Sequence, residues 1–180
     1  MFQEEIADLT ANHLATHIRA YLDAVQALYP DNVVLQSPKS IETANLAGGV
    51  YNATPDEMPA IAVDIIDVEF STATAEGLWL YKYSGHIAEV VSGNSETNVN
   101  REIKRHQQAV EKWVNDHQYL HQLTSTLGND FKLIALGFLG SAFSGAEKVN
   151  ERDDRPMWIA GYRIDLEWFV SQPGPNDHGS

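Results

Sequence analysis

Between Ala60 and Leu120 two strand-like segments run straight into one long amphipathic helix, and this order commits the chain to a sheet covered by helices. Ala60–Phe70 (AIAVDIIDVEF) and Leu78–Val91 (LWLYKYSGHIAEVV) are rich in β-branched and aromatic residues, which suit a pleated, half-buried surface. Ser92, Gly93 and Asn94 break that pattern. Val99, Ile103, His106, Val110, Trp113, His117 and Leu120 then follow at alternating spacings of four and three, which places all seven on one helical face.

The apolar alternation changes phase inside the first segment. Ile61, Val63 and Ile65 share one parity, and Ile66, Val68 and Phe70 share the other, so a bulge at Ile65–Ile66 or burial of both faces is expected. In the next segment Ser84 and Gly85 predict a bend before Ile87–Val91. Upstream, Ile6, Leu9, Leu14, Ile18, Tyr21, Leu22, Val25 and Leu28 predict a helix over Gln3–Tyr29, stopped by Pro30, with Glu4, Glu5 and Asp8 at the favourable end of its dipole. Asn32–Ser37 is a short strand candidate. Phe131–Phe138 is another, and Gly161–Val170 alternates cleanly, with Tyr162, Ile164, Leu166, Trp168 and Val170 on one side and Arg163, Asp165 and Glu167 on the other.

Pro38–Pro59 and Gly140–Met157 are expected to be long loops, and Ser171–Ser180 a disordered polar tail. The expected fold class is α+β: a mainly antiparallel sheet of about four to five strands with two α-helices on one face, forming a single domain over residues 1–170. The last strand, Gly161–Val170, reads as a sheet edge open to a neighbour.

The chain has 25 acidic and 12 basic residues, a formal charge of −13, which disfavours a nucleic-acid reader. Cysteine is absent, which removes disulfides, thiol nucleophiles and thiolate metal sites and suits a reducing compartment. MFQEEIADLT has neither a basic nor an apolar leader region, and the longest apolar runs fall short of a membrane span, so a soluble protein made in a cytoplasm is expected.

Candidate chemistry is sparse. His13/His17 and His117/His121 are pairs at i, i+4 that could share a metal, but a third ligand is not nominated, and His117 also fits the helix seam as a core-edge residue. Asp64, Asp67 and Glu69 on one strand and Asp165 and Glu167 on another could serve glycosidase-like chemistry, or form a solvated face. The glycines of Leu136–Lys148 match neither a Walker loop nor a dinucleotide fingerprint and read as a flexible connection. Arg101, Lys104 and Arg105 beside Glu102 read as a mixed solvated helix face. No catalytic residue, cofactor or metal ligand is assigned. Candidate partner contacts are the apolar residues set in the two long segments: Ile41, Leu46, Tyr51, Met58, Phe143, Val149 and Met157.

The order of elements, with MPAIAVD (Met58–Asp64), YKYSGHIAEVVSG (Tyr81–Gly93) leading into the helix Asn98–Tyr119, and GYRIDLEWFV (Gly161–Val170), resembles the tail terminator and related neck or tail-completion proteins of long-tailed bacteriophages. The resemblance is one of pattern over most of Gln3–Val170. It implies a structural, non-enzymatic virion protein. Its partners would be further copies of itself in a ring, typically hexameric, together with the tail-tube and neck or connector proteins. DNA would pass through the lumen without sequence-specific binding. The contrasting readings are a small metal-dependent enzyme using the paired histidines, and a monomeric module with a ligand cleft between sheet and helices.

Overall fold

The computed structural model describes residues 3–43, 53–73, 78–118, 132–152 and 155–173. The elements run α1 (Gln3–Gln26), β1 (Ser40–Thr43), a 3-10 turn (Pro55–Glu57), β2 (Ala60–Ala73), β3 (Leu78–Gly93), α2 (Glu96–Asp116), β4 (Lys132–Arg152) and β5 (Arg155–Pro173). The strands form one sheet in the order β1-β2-β3-β5-β4. The β1–β2 pair is parallel and every other pair is antiparallel. The expected α+β class is therefore found, with a five-stranded mixed sheet and two helices.

Both helices form where their sequence periods place them. In α1 the buried residues Ile6, Thr10, Leu14, Ile18, Leu22 and Val25 recur every three or four positions. In α2 the seam residues Val99, Ile103, His106, Val110 and Trp113 are buried, and the Ser95 hydroxyl caps the helix by accepting the Asn98 amide. The last seam position, Leu120, lies outside the described residues. The α1 helix packs over β1 and β2, whereas α2 packs over β3, β5 and β4, and the two helices pack on each other. Between them and the sheet lies a core built from Ile61, Val63, Ile87, Ile103, Trp113 and Trp168. Here Thr10 donates to the Ile6 carbonyl at 2.8 Å and accepts from Trp168 Nε1 at 3.0 Å, so both buried polar groups are satisfied.

The phase change in β2 is a bulge. The β2–β3 register shifts between Ile65 and Asp67, with Ile65 opposite Gly85 and Asp67 opposite Ser84. A Cβ on Gly85 would stand 1.9 Å from the Asp64 carbonyl oxygen, so only glycine allows this approach.

Five sequence expectations change. Asn32–Ser37 is not a strand: the Gln26 side chain takes the pairing role, donating to Val33 O at 2.9 Å and accepting from the Leu35 amide at 2.7 Å. The strand lies instead at Ser40–Thr43, inside the segment expected to be a loop. The second expected loop, Gly140–Met157, is built mostly of strand residues of β4 and β5 that pair from Gly140↔Asp165 to Val149↔Met157. Its Gly, Ser and Ala residues have low strand propensity, but backbone pairing with β5 outweighs it. Consequently β5 is an inner strand and β4 is the edge, with register shifts at four places along its length. Finally, β5 continues through Ser171–Pro173, the first residues of the expected tail, while residues 174–180 lie outside the described set.

Candidate functional site

The alternation of β3 divides its side chains between two faces. Tyr83, Ile87, Glu89 and Val91 point into the helix-covered core, and Lys82, Ser84, His86, Ala88 and Val90 take the opposite parity. On β5, Arg163, Asp165 and Glu167 alternate with the buried Ile164, Leu166 and Trp168 and so share that outer face.

The bulge decides what β2 adds to it. Without the extra residue Asp64 and Asp67 would point to opposite faces; with it, Asp64, Asp67 and Glu69 all turn outward. The register then sets His86 between Asp64 and Asp165, and Ser84 between Asp67 and Glu167. Lys82 reaches Glu69 at 2.7 Å and Glu167 at 3.5 Å, and Arg163 pairs with Asp165 at 2.9 Å. Five carboxylates from two strands thus share one surface with two cations. Burial lowers the His86 pKa, the adjoining Asp64 and Asp165 opposing that shift only in part.

On the same face the surface becomes apolar toward the opposite end of the strands. Ala60, Ala62 and Ala88 form a small buried cluster with Ala53 and Val90 beside them. A cleft of about 430 Å³ opens next to it, lined by Ala88, Val90, Ala142, Ser144, Ile159 and Gly161 among others. It lies on the far side of the sheet from the helices, where a cleft between sheet and helices was one expectation.

The histidines of the two helices meet. The His13 ring stacks on His17 at 4.1 Å between centroids and meets His117 edge-on at 4.6 Å. His17 and His117 each direct Nδ1 at a backbone carbonyl four residues back, and Trp113 Nε1 donates to His13 Nδ1 at 3.3 Å. Burial, with the charges of His17 and His117, lowers the His13 pKa to about 4. Among the described residues no group of three or more His, Asp or Glu has the arrangement to hold a metal ion. His121 lies outside them.

A second polar cluster was not apparent from the sequence. Glu89 accepts from Tyr162 at 2.6 Å and bonds His106 Nδ1 at 2.6 Å, all three side chains being buried. Burial works against the imidazolium, but the charge and hydrogen bond of Glu89, with Glu102 nearby, prevail and raise the His106 pKa. Burial likewise raises the carboxyl of Glu102 and, with Glu89, the phenol of Tyr162. The available signal was a glutamate at the inward parity of Ile87 and Val91, facing a histidine on the helix seam.

The basic cluster also departs from expectation. Arg105 is buried, bonded to Asp31 and stacked 4.2 Å from the Tyr29 ring, so it is a packing residue and not part of a solvated face. Its hydrogen bonds, followed by that of the Val33 amide, hold Asp31 down at about 2. Arg101 and Lys104 remain exposed, the latter 5.1 Å over Phe143.

Of the candidate partner contacts, Ile41 packs partly against the core and Met58 is buried. Phe143 is 41% exposed, Val149 and Met157 oppose each other near the end of the β4–β5 hairpin, and Leu46 and Tyr51 lie outside the described residues. No helix among the described residues is long and apolar enough to cross a membrane.

No family model and no curated protein matches the chain. Among solved structures, a chain of the virion of a native gene transfer agent (GTA) particle aligns with 95% of this chain and 99% of its own length, at 14% identity and a TM-score of 0.44. That similarity is too low to carry a functional argument.

Proposed function

We propose that the protein is a structural subunit of a tailed, phage-like virion, forming a ring at the end of the tail tube or at the head–tail junction and working through protein contacts. The observation that carries this reading is the outer sheet face, where the bulge in β2 joins Asp64, Asp67 and Glu69 to Asp165 and Glu167. Facing a lumen, such a surface repels phosphate and lets DNA pass without holding it. The order of helix, strand, two long strands, helix and two strands supports it as well, because it reproduces the pattern on which the resemblance to tail terminators rests. In this reading the ring is hexameric, and Phe143, Val149 and Met157, with Leu46 and Tyr51, are its contact residues, whereas Ile41 and Met58 serve the packing of the subunit itself. No catalytic step is assigned to any residue.

Negative-stain microscopy with light scattering on the purified protein tests the reading. Rings with a central hole are expected, and DNA should not bind them at physiological salt. A strictly monomeric protein, or a stoichiometric transition metal that is lost on replacing His13 or His117, would overturn it.

A further inference from the structure

Both hydrogen bonds that join α1 to α2 among the described residues lie where the last turn of α2 meets the middle of α1. Tyr21 donates its hydroxyl to Asp116 at 3.1 Å, and Trp113 Nε1 donates to His13 Nδ1 at 3.3 Å. Around them stand three half-buried imidazoles, His13, His17 and His117, with ring centroids 4.1, 4.6 and 5.8 Å apart.

The bonding pattern fixes which nitrogen of each ring carries a proton. A backbone carbonyl only accepts, so His17 Nδ1 donates to the His13 carbonyl and His117 Nδ1 to the Trp113 carbonyl, both at 2.8 Å. Each of these rings keeps Nε2 for a second proton. An indole N–H only donates, so His13 holds Nδ1 bare and carries its proton on Nε2. The three rings therefore answer acid differently. His17 and His117 take a proton without losing a bond. His13 takes one only at Nδ1, which turns an acceptor into a donor and sets two N–H groups against each other. Its charge also stands 4.1 and 4.6 Å from the centres of the two neighbouring rings.

We infer that this junction is a proton-operated joint: a proton on His13 breaks its bond with Trp113 and loosens α1 from α2, while the sheet and the rest of the core stay folded. The charges bearing on His13 are those of His17 and His117. Asp116 is engaged by Tyr21 and Arg19 by Asp23, and β1 and β2 meet α1 through core residues such as Ile61 and Val63. The remaining hold on α1 does not titrate: Ile6, Leu14, Ile18 and Leu22 are buried, and Thr10 joins it to Trp168 through neutral groups. Opening is therefore local. Burial, with the two neighbouring rings, lowers the His13 pKa to about 4, so the joint is closed at neutral pH and opens as pH falls through that value.

The test follows the indole N–H resonances of the full chain by proton–nitrogen correlation NMR, in metal-free buffer, between neutral pH and about pH 3.5. The Trp113 signal should move upfield with a midpoint of about pH 4 as its acceptor is lost, while the Trp168 signal holds. Amide protection factors over His13–Tyr21 should fall at least ~10-fold across the same step, and those of Ile87 and Ile164 should stay level. His13→Gln, whose amide oxygen accepts from the indole but takes no proton, should abolish the step. His17→Gln with His117→Gln should move the midpoint to higher pH, because the neighbouring charges that oppose the His13 proton are gone. A step that persists in His13→Gln would assign the change to other groups and overturn the joint. A Trp168 signal that moves together with Trp113 would overturn it as well, since the event is then global unfolding.

Discussion

Glu89 of β3 and His106 of α2 are joined at 2.6 Å in the layer between helices and sheet, where neither side chain reaches solvent. The bond ties α2 to one position along β3, and Tyr162 occupies the second carboxylate oxygen at 2.6 Å. Replacing Glu89 with Ala leaves a buried imidazole and phenol without their acceptor and should destabilise the fold by about 3–5 kcal/mol in urea titration. A triple change, Glu89→Leu with His106→Leu and Tyr162→Phe, should recover most of that loss, because no buried polar group is then left without a partner. A single variant no less stable than the parent would refute the role given to the pair.

The His13 ring makes stability depend on acid. Its pKa falls from 6.5 to about 4 on folding, so the folded chain resists a proton that the unfolded chain accepts. The contribution is complete above pH 6.5 and is lost as pH falls from there toward 4. For a partly exposed ring the loss is on the order of 1 kcal/mol. Urea midpoints measured across this window should decline, and His13→Gln should flatten the decline; an unchanged slope in that variant would assign it to other groups.

Gly85→Ala tests the bulge. The added methyl would stand 1.9 Å from a backbone oxygen of β2, which has no rotamer by which to escape. We expect a loss of at least about 3 kcal/mol, together with weakened hydrogen-exchange protection around Ile65 and Asp67. A stable Ala variant with unaltered exchange would show that the two strands do not approach this closely.

Trp168→Phe removes the donor to Thr10 and leaves space in the fully buried layer. The expected loss is about 2 kcal/mol from the combined hydrogen bond and cavity. Thr10→Val in the same background should add little, since its main acceptor role is already gone; additive losses would deny the coupling.

How far the fold could be read in advance depended on whether its cause was local. The seam Val99–Trp113 and the phase change at Ile65–Ile66 are periodicities in the chain itself, and both are visible as letters. The Gly140–Arg152 part of β4 was not, because its small and polar residues are held as strand by β5, a partner that adjacent sequence does not name. Val33–Leu35 misled for the converse reason: an extended, β-branched segment is satisfied by the Gln26 side chain and never enters the sheet. The i, i+4 pairing of His13 with His17 was plain, whereas their meeting with His117 depends on how two helices cross. The shared outward face of Asp64 and Asp67 needed the bulge to be placed before it could be recognised.

The register shifts of β4 have a consequence for the chain on its own. An outer strand of 21 residues would ordinarily be a template onto which any passing extended chain could zip. Here the ladder is interrupted between Leu133 and Ala135, Phe138 and Gly140, Ser144 and Glu147, and Val149 and Arg152, so no long run of amides lies in a straight line. Interruptions of this kind disfavour backbone pairing between the β4 edge and another extended chain. The strand can be long enough to display side chains and still too crooked to polymerise.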